Sequence, residues 1–225
     1  MLKKTRPKRQ AWNKGQSQGQ KQPFTLSETI WLAQHFERQK MWHDLALFSL
    51  ALDSLLRSCD LLRLKVADLT YADGRMRQNL NLKQRKTKNN VRPELTPNTQ
   101  RHLQHWIEWS GKSRNDYLFT RKKQSDALPI THKHFVSLVK SWAILLGLPP
   151  DDYAAHSLRR SKAIALYRAG APIAELSEAL GHKTEASTLR YLGVTQDRVR
   201  KVMLSLDMTK GFASTLAWEE NGEKT

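Results

Sequence analysis

Residues 155–192 read AHSLRRSKAIALYRAGAPIAELSEALGHKTEASTLRYL. Apolar residues recur at helical spacing in three runs, with Gly170 and Gly181 between them, which predicts helices at about 156–169, 173–180 and 185–192. His156 and Arg159 fall on the first, His182 follows the glycine of the second, and Tyr191 lies near the end of the third. A guanidinium fork matches the oxygens of a phosphate and stays charged at any working pH. A tyrosine offers an oxygen nucleophile and an imidazole moves a proton. With Arg57 and a lysine near position 86 upstream, these side chains form a set able to exchange a phosphodiester without a metal or other cofactor.

Working outward, Thr25-Leu26-Ser27-Glu28 reads as a capping box opening a helix through Arg38. Apolar helices are expected at 42–56 and 58–64. The alternation at Leu80 and Leu82, broken by Lys88-Asn89-Asn90, predicts a hairpin within 76–95. Thr96-Pro97 starts a helix to about Trp109, and further helices are expected at 132–146 and 195–206. The fold class is therefore mainly α with a small antiparallel β-sheet (α+β), in one domain over 25–206. Trp106, Trp109, Trp142 and Tyr167 are expected to pack, and Tyr153 to lie in a loop. The lone cysteine, Cys59, excludes an intrachain disulfide and reads as a small buried hydrophobe.

The 225 residues carry a formal charge of +17, with a pI near 10.2, so a polyanion is the expected partner. Residues 1–24 hold Lys3, Lys4, Arg6, Lys8, Arg9, Lys14 and Lys21 with no acid and little apolar content, and are expected to form a disordered basic arm. The remainder is basic in its own right. No apolar run approaches the ~20 residues that span a bilayer, and no apolar segment follows the basic N-terminus. A cytoplasmic, nucleoid-associated protein that does not engage membranes is expected.

Arg57 with Asp60, a basic hairpin, His156-x-x-Arg159, Leu180-Gly181-His182 and Tyr191 resemble, in order and spacing, the catalytic domain of the tyrosine recombinases of the phage integrase family. The resemblance spans about residues 25–205. It implies Tyr191 as nucleophile, forming a 3′-phosphotyrosyl link. It implies Arg57 and Arg159 as the phosphate clamp, His156 and His182 as proton-handling or phosphate-binding groups, and Asp60 as the acid that steadies Arg57 or His156. Strand alternation puts Lys86 and Lys88 on one face as candidates for the leaving-group acid; the family's lysine commonly precedes a threonine, which favours Lys86. Leu55 stands where relatives usually carry glycine. The short chain is similar to catalytic-domain-only invertases of fimbrial switches. Double-stranded DNA, a homo-oligomer on DNA (a tetramer when two duplexes meet) and an accessory DNA-binding protein are the implied partners, with 207–225 a tail that docks on a neighbouring protomer.

Each residue also has a bland reading. Arg57 could pair with Asp53 or Asp60 along one helix. Arg85, Lys88, Arg92, Arg160 and Lys162 are candidate DNA contacts, as are Lys3, Lys4, Arg6, Lys8 and Arg9, although Arg160 also reads as a backbone-contacting arginine. His102, His105, His132 and His134 lie outside the motifs. Residues 172–192 also fit a helix-turn-helix with Gly181 in its turn, which would make the protein a non-catalytic DNA-binding regulator.

Overall fold

The computed structural model describes residues 20–121 and 128–194, together with 204, 206–207 and 211–212. Helix α1 (Leu26–Arg38) begins at the expected capping box: Thr25 Oγ1 accepts from Glu28 N–H, and the Glu28 carboxylate accepts from Thr25 N–H at 2.7 Å. Helix α2 (Trp42–Asp53) is buried along most of its length, from Leu45 to Ala51. It packs between α1, α5 (Pro97–Ser110) and α7 (Ala155–Arg168). Short helices α3 (Ser58–Leu61) and α4 (Val66–Leu69) follow α2. The hairpin β1 (Leu82–Lys83) and β2 (Asn90–Val91) is antiparallel, pairing Leu82 with Val91. Helix α6 (His132–Leu145) leads to α7, α8 (Ile173–Leu180) and α9 (Glu185–Leu192).

The architecture is mainly helical with a small antiparallel sheet, as expected. Helices α2 and α3 each stop three residues earlier than the sequence predicts; α2 does so because the chain turns at Leu55 with φ +50, in the left-handed region. Residues 85–87 form the hairpin turn, so strand alternation does not set the facing of Lys86 and Lys88. The helix expected at 195–206 lies mostly outside the described residues, but strands β3 (Leu206–Asp207) and β4 (Gly211–Phe212) pair across the expected boundary at 206. Residues 20–24 belong to the folded body, not to a free arm. Phe24 is buried and stacks on a buried Tyr153, and Gln22 N–H donates to Asp152 O at 2.8 Å.

Among the described residues, apolar side chains gather in two clusters. The larger holds Phe36, Phe48, Leu56, Leu64, Phe119, Phe135 and Trp142; the smaller holds Leu55, Ala163, Leu176, Leu180 and Leu192, with Tyr191 and Ile173 packed against it. Leu55 and Leu56 are adjacent, yet each enters a different cluster. The turn at Leu55 thus divides the two cores, and Arg57 follows directly at their seam. Trp106 and Trp142 are buried as expected, but Trp109 is 65% exposed and stacks on Trp106. Cys59 is exposed, not buried as expected: it lies in the single turn of α3, of which Leu61 is the buried residue. Among the described residues, no helix is long and apolar enough to cross a membrane.

Candidate active site

Arg159 sits in the first half of α7 and is 3% exposed. Its Nε donates to Leu55 O at 2.7 Å and its Nη2 to Leu180 O. Burial outweighs its other interactions and lowers its pKa to about 10, so it remains cationic at neutral pH. Its guanidinium lies 5.6 Å from the centre of the Tyr191 ring.

Tyr191 is held by the geometry of α9. Thr184 caps the helix, and Gly193 ends it in the left-handed region. Arg160 Nε donates to Tyr191 O at 3.2 Å, fixing the backbone beside the phenol. The hydroxyl is buried and, among the described residues, has no hydrogen-bond partner. Burial pushes its pKa up to about 12 against the opposing pull of Arg159, Arg160 and Arg57. The phenol is therefore protonated at neutral pH.

His182 follows Gly181, the left-handed C-cap of α8, and its backbone N–H donates to Ser177 O. The ring meets Tyr191 edge-on at 5.4 Å, and Nδ1 is 2.9 Å from the buried Thr188 hydroxyl. Burial first, then the charges of Arg159 and Arg57, bring its pKa down to about 4. His156, near the start of α7, has an exposed surface, and partial desolvation followed by the charges of Arg159, His132, Arg57 and Lys86 lowers its pKa in the same direction. Both rings are thus mainly neutral at pH 7, the form that can accept a proton.

Arg57 pairs with neither Asp53 nor Asp60. Its Nη1 donates to Gln84 Oε1, while Asp53 is engaged by Lys162 and Thr96. Asp60 likewise binds neither Arg57 nor His156 through a hydrogen bond. Its Oδ1 accepts from Arg85 N–H at 3.0 Å, and its Oδ2 is buried without a partner among the described residues. The acid steadies the hairpin turn that carries Lys86. Lys86 is exposed on that turn and its charge bears on His156; Lys88, at φ +62, has its N–H on Gln84 O.

The expected DNA contacts divide in two. Arg85, Lys88 and Arg92 are exposed along the hairpin. Arg160 and Lys162 are not available: Arg160 is buried, on Tyr191 O and Lys21 O, and Lys162 Nζ binds Asp53 Oδ1 at 2.7 Å. Both side chains point into packed seams, where the carbonyls and carboxylate of neighbouring segments claim them. Lys3, Lys4, Arg6, Lys8 and Arg9 lie outside the described residues. Sequence reasoning passed over Gln84, which is 1% exposed among the charged groups, and His132, whose Nδ1 is 2.9 Å from Ser58 Oγ. A polar residue in a strand of lysines and arginines gave no signal of burial, and His132 matched no motif.

A family model described as "Phage integrase family" matches residues 25–198. The Bacillus subtilis protein named "Probable integrase/recombinase YoeC" is 26% identical over 179 residues, covering 80% of this chain and 93% of that protein. Tyrosine recombinase XerD of Rickettsia bellii is 32% identical over 81 residues, 36% of this chain and 27% of its own length. Among solved structures, the XerA recombinase superposes with a TM-score of 0.65 at 16% identity, over 84% of this chain and 64% of that one. The XerH site-specific recombinase, in a post-cleavage complex with its palindromic difH substrate, gives 0.65 at 21% identity, over 83% and 53%. The chain thus spans about a quarter of this XerD and between half and two thirds of the solved chains.

Proposed function

Since the chain belongs to the phage integrase family, we propose that it is a site-specific DNA recombinase that breaks and rejoins strands through Tyr191. The observation that carries this reading is the convergence of Arg159, His182 and Tyr191 at one seam, with Arg57 tied in through Gln84. The Tyr191 oxygen bonds to the scissile phosphorus while the phosphorus–5′-oxygen bond breaks. The phenolic proton passes to a neutral imidazole, His182 or His156, and Lys86 protonates the departing 5′-oxygen. One phosphate ester replaces another, so rejoining needs no ATP and no metal. Arg57 and Arg159 meet the charge that builds on the non-bridging oxygens; losing such a donor costs about 2.7–4 kcal/mol in the transition state.

The exposed basic hairpin and the basic arm supply phosphate contacts, and protomers assemble on DNA, four when two duplexes are joined, for integration, excision or inversion of a mobile element. A regulator of the helix-turn-helix kind is the poorer fit. Thr188 and Leu192 of α9 are buried, Tyr191 packs against the smaller core, and the exposed first turn of α9 begins with an acid, Glu185. The test is covalent trapping on a nicked suicide duplex from the gene's own neighbourhood, in EDTA. Wild type should give a DNA-linked band on a denaturing gel and Tyr191→Phe none. Sequence-specific binding without a band in wild type would move the assignment to a non-catalytic DNA binder.

A further inference from the structure

Gln84 is almost wholly buried, and its carboxamide is the junction of the charged site. Oε1 accepts from Arg57 Nη1 and, at 2.7 Å, from Thr87 Oγ1. Nε2 donates to Leu180 O at 3.3 Å, and that same carbonyl accepts from Arg159 Nη2. Two arginines from distant parts of the chain are therefore joined through one carboxamide and one carbonyl. A guanidinium has five N–H donors, so such bonds fix the plane of a fork without exhausting it. The main chain of Gln84 is equally committed: its N–H donates to Asn89 O and its carbonyl accepts from Lys88 N–H, closing the base of the turn that holds Lys86. The carboxamide also lies flat against Gly181, where an added Cβ would meet Oε1 at 2.5 Å.

Resting on the function proposed above, we infer that Gln84 is a positioning residue for the phosphate site: it sets the fork of Arg57 relative to that of Arg159 so that both meet one phosphate. Gln84 touches no reacting atom and acts through Arg57. A shift of about 1 Å in such a group costs roughly a hundredfold in rate. Gln84→Met keeps the volume against Gly181 and removes all three side-chain bonds. Gln84→Asn keeps an amide on an arm too short to bridge Arg57 and Leu180.

The experiment measures the rate of covalent adduct formation on the nicked suicide duplex, together with DNA affinity and melting midpoint. The expected result for either variant is an adduct rate lower by about 100-fold, with affinity within about twofold of wild type. Arg57→Lys supplies the second arm, because an ammonium keeps the charge but has no fork to orient. In that background Gln84→Met should cost no more than about twofold. A near-normal adduct rate in a folded Gln84 variant, losses that multiply in the double variant, or both Gln84 variants failing to fold would each overturn the inference. The last result would make Gln84 a purely structural residue. Wild type forming no adduct would instead refute the function on which the inference rests.

Discussion

A methyl group at position 181 would lie 2.5 Å from Gln84 Oε1, on a backbone at φ +59. Gly193 is a useful control, with φ +77 but, among the described residues, nothing nearer than Arg160 Nη2 at 3.6 Å. Gly193→Ala should cost only the left-handed backbone, about 1–2 kcal/mol. Gly181→Ala should cost roughly 2 kcal/mol more, because Gln84 must give up buried hydrogen bonds. Equal losses in urea denaturation would remove the steric argument for that glycine. The neighbouring His182 makes a second prediction. Its folded pKa of about 4 lies below the ~6.5 of an unfolded histidine. As pH falls below 6.5 the unfolded chain takes up the proton first, so stability declines from there down to about 4. His156 is shifted in the same direction. Replacing His182 by Asn should therefore flatten the fall of the melting midpoint between pH 7 and pH 5, and an unchanged slope would contradict a neutral, half-buried ring. Arg57, Arg159, His182 and Tyr191 were legible as candidates because phosphate chemistry calls for particular side chains, and the structure brings them to one seam. Gln84 was not, since nothing local separates a buried glutamine from a solvated one. Asp60 was legible as an acid but not in its partner, which is the backbone of Arg85 brought back by the hairpin.

The elements were legible where the chain signals its own ends. Thr96-Pro97 and Gly111 bracket α5, and Gly181, Thr184 and Gly193 punctuate α8 and α9. The end of α2 carries no such signal, because a leucine occupies the left-handed turn. Leu55 tolerates that backbone because its side chain is buried in the smaller core and its carbonyl receives Arg159 Nε. Just before this turn, Asp53 locks three elements together. Its carboxylate accepts from Thr96 N–H and Oγ1 at the start of α5, and from Lys162 Nζ on α7. Burial alone would raise the Asp53 pKa, but the bonds from Lys162, Thr96 and Thr99 outweigh it and hold the carboxyl below its ordinary value. Lys162→Met should lower stability by about 1.5–3 kcal/mol near neutral pH. A carboxylate with a depressed pKa stabilises above the unfolded value near 3.9 and loses that contribution as pH falls through the folded one. The gap between wild type and Lys162→Met should thus narrow in acid. A gap that stays constant from pH 7 to pH 2.5 would show that packing of the lysine stem, not the ion pair, is what Lys162 contributes.

At the scale of the whole molecule, the site occupies the seam between two apolar clusters, and its groups come from α3, the hairpin, α7, α8 and α9. Composition pointed to a polyanionic partner but not to where the body begins, because a lone phenylalanine in a polar, basic stretch carries no periodicity. Phe24 sets that boundary. It stacks on Tyr153 with ring centres 4.6 Å apart, its N–H donates to Ser161 Oγ, and Arg160 reaches from Lys21 O to Tyr191 O. Residues 20–24 therefore brace the backbone of the proposed nucleophile, whereas residues 1–19 bring six lysines and arginines. Two truncations separate these contributions. Removing residues 1–19 should leave the melting midpoint near that of wild type while weakening DNA binding. The slope of log K against log salt should fall by about 0.9 for each phosphate that the arm no longer neutralises. Removing residues 1–24 should in addition lower the melting midpoint, since a buried aromatic anchor is worth about 3–5 kcal/mol. An unchanged salt slope after the shorter deletion would leave DNA binding to the folded body, with the exposed Arg85, Lys86, Lys88 and Arg92 of the hairpin as its principal cations.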